Sequence, residues 1–159
     1  MARCYRGATA VAVAWPAFPG KGAMAQRSLV LILARDLADK LASAVFVVDR
    51  EGTLVYFNER AGELLGQTYG EAGAMRVDQW SRAFVPTDFD GRPLDPSELP
   101  LVKALSKEKP AHSTLRIVAL DGSTRDIGVT ALPLFARKDE MVGAVAFFWE
   151  LDLGDGGPG

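Results

Sequence analysis

The chain is poor in the residues that build metal and redox centres: its 159 residues include one cysteine, Cys4, and one histidine, His112. A lone thiol leaves no intrachain disulfide and no CxxC spacing for zinc or iron–sulfur, and a lone histidine leaves a zinc hydrolase without its ligands. Charge of one sign is scarce as well. Eighteen Lys and Arg against twenty Asp and Glu give a net charge of -2, with no basic stripe, so the electrostatic footprint of a nucleic-acid binder is missing. No run reaches the roughly 18 consecutive apolar residues that argue for a membrane span. What is present, 48% apolar, 24% charged and 9% aromatic residues, is the composition of one globular domain with a single core. Folding about 150 residues buries roughly 70% of the unfolded surface, so no covalent or metal staple is needed. The class that remains is a module that binds small molecules or proteins.

Charge also marks the first boundary. Residues 1–27 hold Arg3, Arg6, Lys21 and Arg27 and no acid, so they carry +4 and the rest of the chain -6. Arg3 and Arg6, the small-residue stretch Gly7–Phe18 and Ala23-Met24-Ala25 imitate the three regions of a secretory signal. Pro16, Pro19, Gly20 and Lys21 interrupt the approach to that cleavage site, and Met24 offers a plainer origin, a true start that leaves the preceding residues upstream. Residues 1–27 are therefore predicted to be an extension, disordered or upstream of the start. The location follows as cytoplasmic, with export as the alternative if residues 1–25 act as a signal. The Gly-rich tail 153–159 is predicted to be flexible.

From Ser28 to Ser43 the pattern is helical. Ser28 can cap it, and Leu29, Val30, Leu33, Ala34, Leu37, Leu41 and Ala42 recur at three- and four-residue spacing, with Arg35, Asp36, Asp39 and Lys40 opposite. Leu29–Ala34 is apolar around the whole circumference, more than docking on one surface requires. The stripe Val30, Leu33, Leu37 and Leu41 is predicted to face a sheet, and Leu29, Leu31 and Ile32 to stay open for a second apolar partner. Val45–Val48 and Leu54–Phe57 read as a hairpin around the turn Asp49–Gly52. Asn58 then caps a short helix that ends at Gly66. Asp78–Phe84 and Ser97–Lys107 are further helices, the second with Pro100 in its first turn, separated by the Pro- and Gly-bearing stretch Pro86–Pro96. His112–Leu120, Thr124–Leu134 and Met141–Trp149 form a three-strand meander turned at Asp121-Gly122 and at Ala136–Glu140.

An amphipathic helix, two strands, several short helices and three strands form an order that resembles the PAS sensor domain over about residues 28–152. The segment FVVDREGTLVYFNERAGELLG carries the most specific local likeness, and DGRPLDPSELPLVKALSKEKP before LDGSTRDIGVTALPLF and VGAVAFFWELD carries a second. The resemblance implies an α+β fold, a PAS-like five-stranded antiparallel sheet with short helices on one face and an N-terminal amphipathic helix. It also implies a cavity between sheet and helices, with signalling through the sheet or the flanking helices. The family's chemistries are disfavoured residue by residue. A flavin photoadduct needs a cysteine just after the capping asparagine, where this chain has Glu59-Arg60-Ala61, and an axial-histidine haem needs a histidine on the helix before the third strand, where Ser97–Lys107 has none. His112 stands just beyond that helix, as a polar residue at the strand edge.

Strand alternation groups Leu115, Ile117 and Ala119 with Ile127, Val129 and Ala131 and with Val142, Ala144, Ala146 and Phe148. Arg116, Asp126 and Thr130 fall opposite, together with Val145, Phe147 and Trp149 of the last strand. Which set faces the cavity stays open at this stage. Trp80, Phe84 and Phe89 are core fillers or cavity lining, with Asn58, Arg116 and Thr130 as the polar groups a ligand would need. Asp88, Asp90 and Asp95 lack the twelve-residue ligand series of a calcium loop. The leading reading is a non-enzymatic sensory or regulatory module that binds a small ligand or a partner protein, acts without a known cofactor and passes its signal to a separate effector such as a kinase or a transcription regulator. The alternative is a dimerisation module with a filled core, and a small enzyme built on His112 stands last for want of a nucleophile and base at fixed spacing. A homodimer is expected through Leu29, Leu31 and Ile32 of the helix and Val145, Phe147 and Trp149 of the last strand.

Overall fold

The computed structural model describes residues 21–152; the extension as far as residue 20, with Cys4 and most of the signal-like segment, and the tail 153–159 lie outside them. Five strands, β1 (Ala44–Asp49), β2 (Leu54–Phe57), β3 (Ala111–Val118), β4 (Thr124–Arg137) and β5 (Glu140–Glu150), form one sheet in the order β2-β1-β5-β4-β3, antiparallel throughout. The first hairpin turns where predicted: the Asp49 carboxylate accepts the N–H groups of Glu51 and Thr53 at 3.0 and 2.9 Å, and Gly52 takes φ +82°. The last two strands run longer than their sequence pattern suggested, because β4 and β5 carry their pairing out to Arg137 and Glu140, with a bulge near Phe135, whereas β3 ends at Val118, short of the expected Leu120.

Alternation sorts the sheet into two faces. Leu115, Ile117, Ile127, Val129, Ala131, Ala144, Ala146 and Phe148 join Phe46 and Val48 in the main core under the short helices. Val45, Val47 and Val145 point the other way and form a second cluster with Ala38 of the N-terminal helix. β1 and the part of β5 beside it are therefore buried on both sides. Gly143 on β5 makes the close approach possible, since a Cβ there would lie 2.1 Å from the Val48 carbonyl oxygen.

The helices on the core side are α2 (Glu59–Leu65), α3 (Tyr69–Ala72), α4 (Val77–Ala83) and α5 (Pro100–Lys107). Helix α2 closes on Gly66 in the left-handed region, φ +82°. The sequence pattern did not anticipate α3, a single turn defined by a capping box in which Thr68 and Glu71 exchange hydrogen bonds. The helix expected over Ser97–Lys107 is two elements. Asp95 caps a 3₁₀ turn, Pro96–Glu98, and Leu99 is extended before Pro100 restarts the chain as α5, as the backbone preference of a residue before proline requires.

The N-terminal helix, α1, spans Lys21–Ala38 and not 28–43. Ser28 lies inside it, so it is not the cap, and the chain leaves the helix through a turn at Asp39 and Lys40. The docked face also differs from the predicted stripe. Leu31 and Ala34, with Ala38 and Leu41, pack on the second cluster, whereas Leu33 and Leu37 are more than half exposed. Two alanines at the contact let the helix backbone approach the sheet closely, which leucines at 33 and 37 would prevent.

Both rims of the sheet are met by loops. On β2, Leu54 exchanges backbone hydrogen bonds with Met75 at 2.7 and 3.2 Å; on β3, Arg116 exchanges two of 2.8 Å with Thr87, and the Val118 N–H donates to the Phe84 carbonyl at 2.9 Å. No helix among the described residues is long and apolar enough to cross a membrane.

Candidate functional site

Two features lie back to back across the sheet. On the core side is a cavity of about 80 Å³ whose walls come from α4, the loop after it, α5 and strands β1, β3, β4 and β5. Its lining is apolar apart from Trp80 and Ser81 on α4, and the Trp80 indole N–H is already committed to the Gly52 carbonyl at 2.8 Å. Ser81 is buried, and its hydroxyl has no hydrogen-bond partner among the described residues. The wall segment ends at Val85, whose φ of +42° is unusual for a β-branched residue and stores strain between the lining residues Phe84 and Pro86.

On the opposite face α1 lies over β1 and β5. The Tyr56 hydroxyl donates to the Asp39 carboxylate, and the Arg35 guanidinium sits over the Tyr56 ring, 4.6 Å from its centre. Burial, reinforced by the hydrogen bond to Asp39, pushes the Tyr56 phenol up to about 12. Beside this latch runs an apolar groove of about 260 Å³ between α1 and the outer faces of β4 and β5. Leu33 and Leu37 form its helix wall, Leu134 and Phe147 its floor.

Asn58 joins the two sides. Its Oδ1 accepts the N–H groups of Val45 and Ala61 at 3.0 and 3.1 Å, and its Nδ2 donates to the carbonyls of Ala38 and Ser43 at 2.8 and 2.9 Å. One buried amide thus caps α2, holds the start of β1 and ties down the last residue of α1. All four bonds of which the side chain is capable are made.

The candidate ligand residues do not converge. Trp80 and Phe84 line the cavity, but Phe89 is exposed and lies 5.8 Å from the Arg116 guanidinium, Asn58 is consumed by its own four bonds, and Arg116 and Thr130 stand on the other face. Arg116 pairs across the strands with Asp126 through bonds of 2.6 and 3.0 Å, and that pairing holds the Asp126 carboxyl below the usual carboxylate range. Thr130 bonds His112 Nδ1 at 2.9 Å, and the His112 ring stacks on Trp149. Of the residues assigned to a dimer surface, Leu29 and Ile32 are more than half exposed, Trp149 is exposed and Phe147 is half-buried in the groove. Leu31 and Val145 are corrected: both pack within the chain, beneath α1. Leu33 and Leu37 take their place on the open side. Ser81 and the Arg35–Tyr56–Asp39 latch carry no sequence signature and were missed, although the register that opposes Arg116 and Asp126 was available from the meander pattern.

The cavity does not fit a flavin or a haem. It is several-fold smaller than the 300–1,000 Å³ typical of cofactor and drug-sized sites, its walls offer no charged group, and α2 has no cysteine and α5 no histidine. Among the described residues no cluster of His, Cys, Asp or Glu could hold a metal.

Comparison with known proteins gives a consistent result. The family model described as the PAS fold matches residues 38–152. No curated protein matches the chain in sequence. Among solved structures, a PAS domain from Colwellia psychrerythraea is similar at 18% identity and a TM-score of 0.56, covering 77% of this chain and 97% of that one. The Rhodobacter sphaeroides LOV protein is similar at 18% identity and a TM-score of 0.59, covering 84% of this chain and 71% of that one. The PAS domain of Bordetella pertussis BvgS matches at 16% identity and a TM-score of 0.53, over 76% and 84%.

Proposed function

The chain belongs to the PAS family, and on that premise we propose that it is a non-enzymatic sensory module whose input is a small molecule in the core cavity and whose output is the packing of α1 on the sheet, read by a second copy of the chain. Neighbours of the same fold include a PAS domain from a two-component sensor histidine kinase and the LOV domain of a blue-light activated histidine kinase, which supports a kinase as the effector. The sensory unit starts with α1 at Lys21, ahead of the boundary expected at residue 28, and runs to residue 152, in a cytoplasmic protein.

The observation that carries this reading is the open side of α1. Leu29, Ile32, Leu33 and Leu37 are each more than half exposed on one helix, and Leu132, Phe135 and Trp149 are exposed on the sheet. A patch of this kind marks an interaction surface. A two-fold pairing of helix against sheet buries both at once, and because α1 and the cavity share strands β1 and β5 as a common wall, repacking on one side is felt on the other.

Sedimentation of the L33D/L37D double variant tests it. Both side chains leave the fold unburdened, so the variant keeps the wild-type circular dichroism and sediments as a monomer at micromolar concentration where the wild type is a dimer. A wild type that is monomeric at that concentration, or a variant that stays dimeric, would sink the proposal. A second variant, I32D, guards against one pair being peripheral.

A further inference from the structure

The groove beside α1 is lined by apolar residues throughout, with Val30, Leu33 and Leu37 on the helix and Leu134, Val145 and Phe147 on the sheet. Leu33 and Leu37 stay more than half exposed there. Shortly before the helix the sequence reads Ala10-Val11-Ala12-Val13-Ala14-Trp15, then Pro16, and Pro19-Gly20 follow just ahead of Lys21, where α1 begins. In an extended chain this alternation puts Val11, Val13 and Trp15 on one face and three alanines on the other. Bulk on one side and methyl groups on the other suit a strip that is buried on one face only. Proline favours extended backbone in the residue before it, which here is Trp15 and again Phe18, and Pro-Gly is turn chemistry.

Length and spacing choose the occupant. An arm that reverses at Pro19-Gly20 and runs back along α1 at about 3.3 Å per residue sets Trp15 and Val13 about 17 and 23 Å from the turn. Along the helix, at about 1.5 Å per residue, Leu33 and Leu37 lie about 18 and 24 Å from Lys21. The pairs coincide, because two residues of strand and four of helix cover nearly the same length. The groove, about 260 Å³, holds about ten non-hydrogen atoms on the scale of the ~150 Å³ apolar cavity that takes benzene, the size of one indole ring. We propose that residues 11–15 form a strap that lies in this groove of their own chain, with Trp15 inserted beside Leu33 and Val13 over Leu37. The short tether gives the strap an effective concentration on the order of millimolar. It competes with the second copy for Leu33 and Leu37 and so sets the concentration at which the dimer forms. The dimer face is wider, since it also takes Leu29, Ile32 and the exposed side chains of the sheet, and at micromolar concentration it displaces the strap. This competition rests on the dimer reading; the docking of the strap does not.

The test uses the full chain with a nitroxide at residue 12, introduced by A12C in a C4S background, on the face of the strap turned away from the groove. L29D/I32D, two positions outside the groove, keep this chain monomeric for nuclear magnetic resonance. The label should broaden the amide signals of Leu37, Leu134 and Phe147, while those of Gly122 and Ser123, at the far end of β4 and about 30 Å of strand away, stay sharp. V13D/W15D should remove the contrast, and so should L37D from the groove side, with circular dichroism of the sheet unchanged in both. In the chain without L29D/I32D, V13D/W15D should tighten the dimer about tenfold by sedimentation, as loss of a tethered competitor requires. Even broadening over the whole domain, or broadening of the groove only when labelled and isotope-enriched chains are mixed, would overturn the strap. A docked strap whose removal leaves the dimer constant unchanged would overturn the competition. A wild type that is monomeric at every concentration sinks the dimer reading alone, because the pattern of broadening still decides the strap.

Discussion

Asn58 gives the sharpest test of the link between the two faces of the sheet. In N58A all four hydrogen bonds disappear. The Ser43 carbonyl lies at an exposed residue and regains water, but the Ala38 carbonyl and the Val45 N–H stay buried, each at a cost of about 1–3 kcal/mol, and the α2 cap is lost at about 1 kcal/mol. The sum, about 3–7 kcal/mol, is a large share of the roughly 5–15 kcal/mol that holds a domain together. With a urea dependence of about 2 kcal/mol/M, the unfolding midpoint should fall by about 1.5–3.5 M. N58D separates the two sides. Its carboxylate still accepts from Val45 and Ala61, yet its second oxygen now faces the carbonyls of Ala38 and Ser43, so α2 remains capped while the end of α1 is repelled. Native-state hydrogen exchange should show Ala61 protected and the last turn of α1 exposed. Buried between two carbonyls, the new carboxyl has a raised pKa in the folded state; a raised folded pKa means stability that is present at low pH and lost as pH rises through it, so the defect should shrink on acidification as the neutral acid donates to one carbonyl. Loss of less than about 0.5 M in midpoint for N58A, or equal loosening of α1 and Ala61 in N58D, would refute the link through Asn58.

Two further outcomes follow from the packing of β1 against its neighbours. G143A forces a Cβ to within 2.1 Å of the Val48 carbonyl oxygen; backbone cannot move aside as a side chain can, so the central strand pair should separate at a cost of about 3 kcal/mol or more and Tm should drop by about 10 °C, and a drop under about 2 °C would show that the strands have slack. Tyr56 ionises at about 12 in the folded chain against 10.0 for the free phenol, so its contribution is complete below pH 10 and lost as pH rises toward 12; phenolate absorbance should appear together with loss of helical ellipticity from α1, and Y56F should remove that transition, whereas an unchanged transition in Y56F would detach the latch from α1.

What could be read from the sequence divides along a physical line. The Asn58 cap, the Asp49–Gly52 turn and the division of the meander side chains into two sets were legible because each depends on neighbours within a few residues or on strict alternation, whereas which set faces inward was not. The face of α1 was not. Leu29–Ala34 is apolar all round, so periodicity cannot choose among faces, and the choice fell to Ala34 and Ala38, whose small size allows close approach. The end of α1 was also misplaced, because Ala38 stops there through a bond to Asn58, twenty residues away. At the candidate site Trp80 and Phe84 were legible as aromatic bulk. Ser81 was not, since a serine in a short amphipathic helix reads as surface until tertiary packing buries it.

The loops that meet the sheet rims govern what happens when the molecule is concentrated or damaged. A bare strand edge accepts another strand, which exposes a new edge and so on without limit; this is how filaments and amyloid grow. Here Met75 occupies the β2 rim at Leu54, and Thr87 and Phe84 occupy the β3 rim at Arg116 and Val118, so strand addition at these points requires one of those loops to let go first. In the proposed two-fold pairing, association of the intact domain is steered to the faces, where it uses up its own surface and stops. The strained Val85 lies within the loop that guards β3. Partial unfolding that begins there would turn a self-limiting molecule into a polymerising one, so the same segment that walls the cavity stands between this domain and open-ended aggregation.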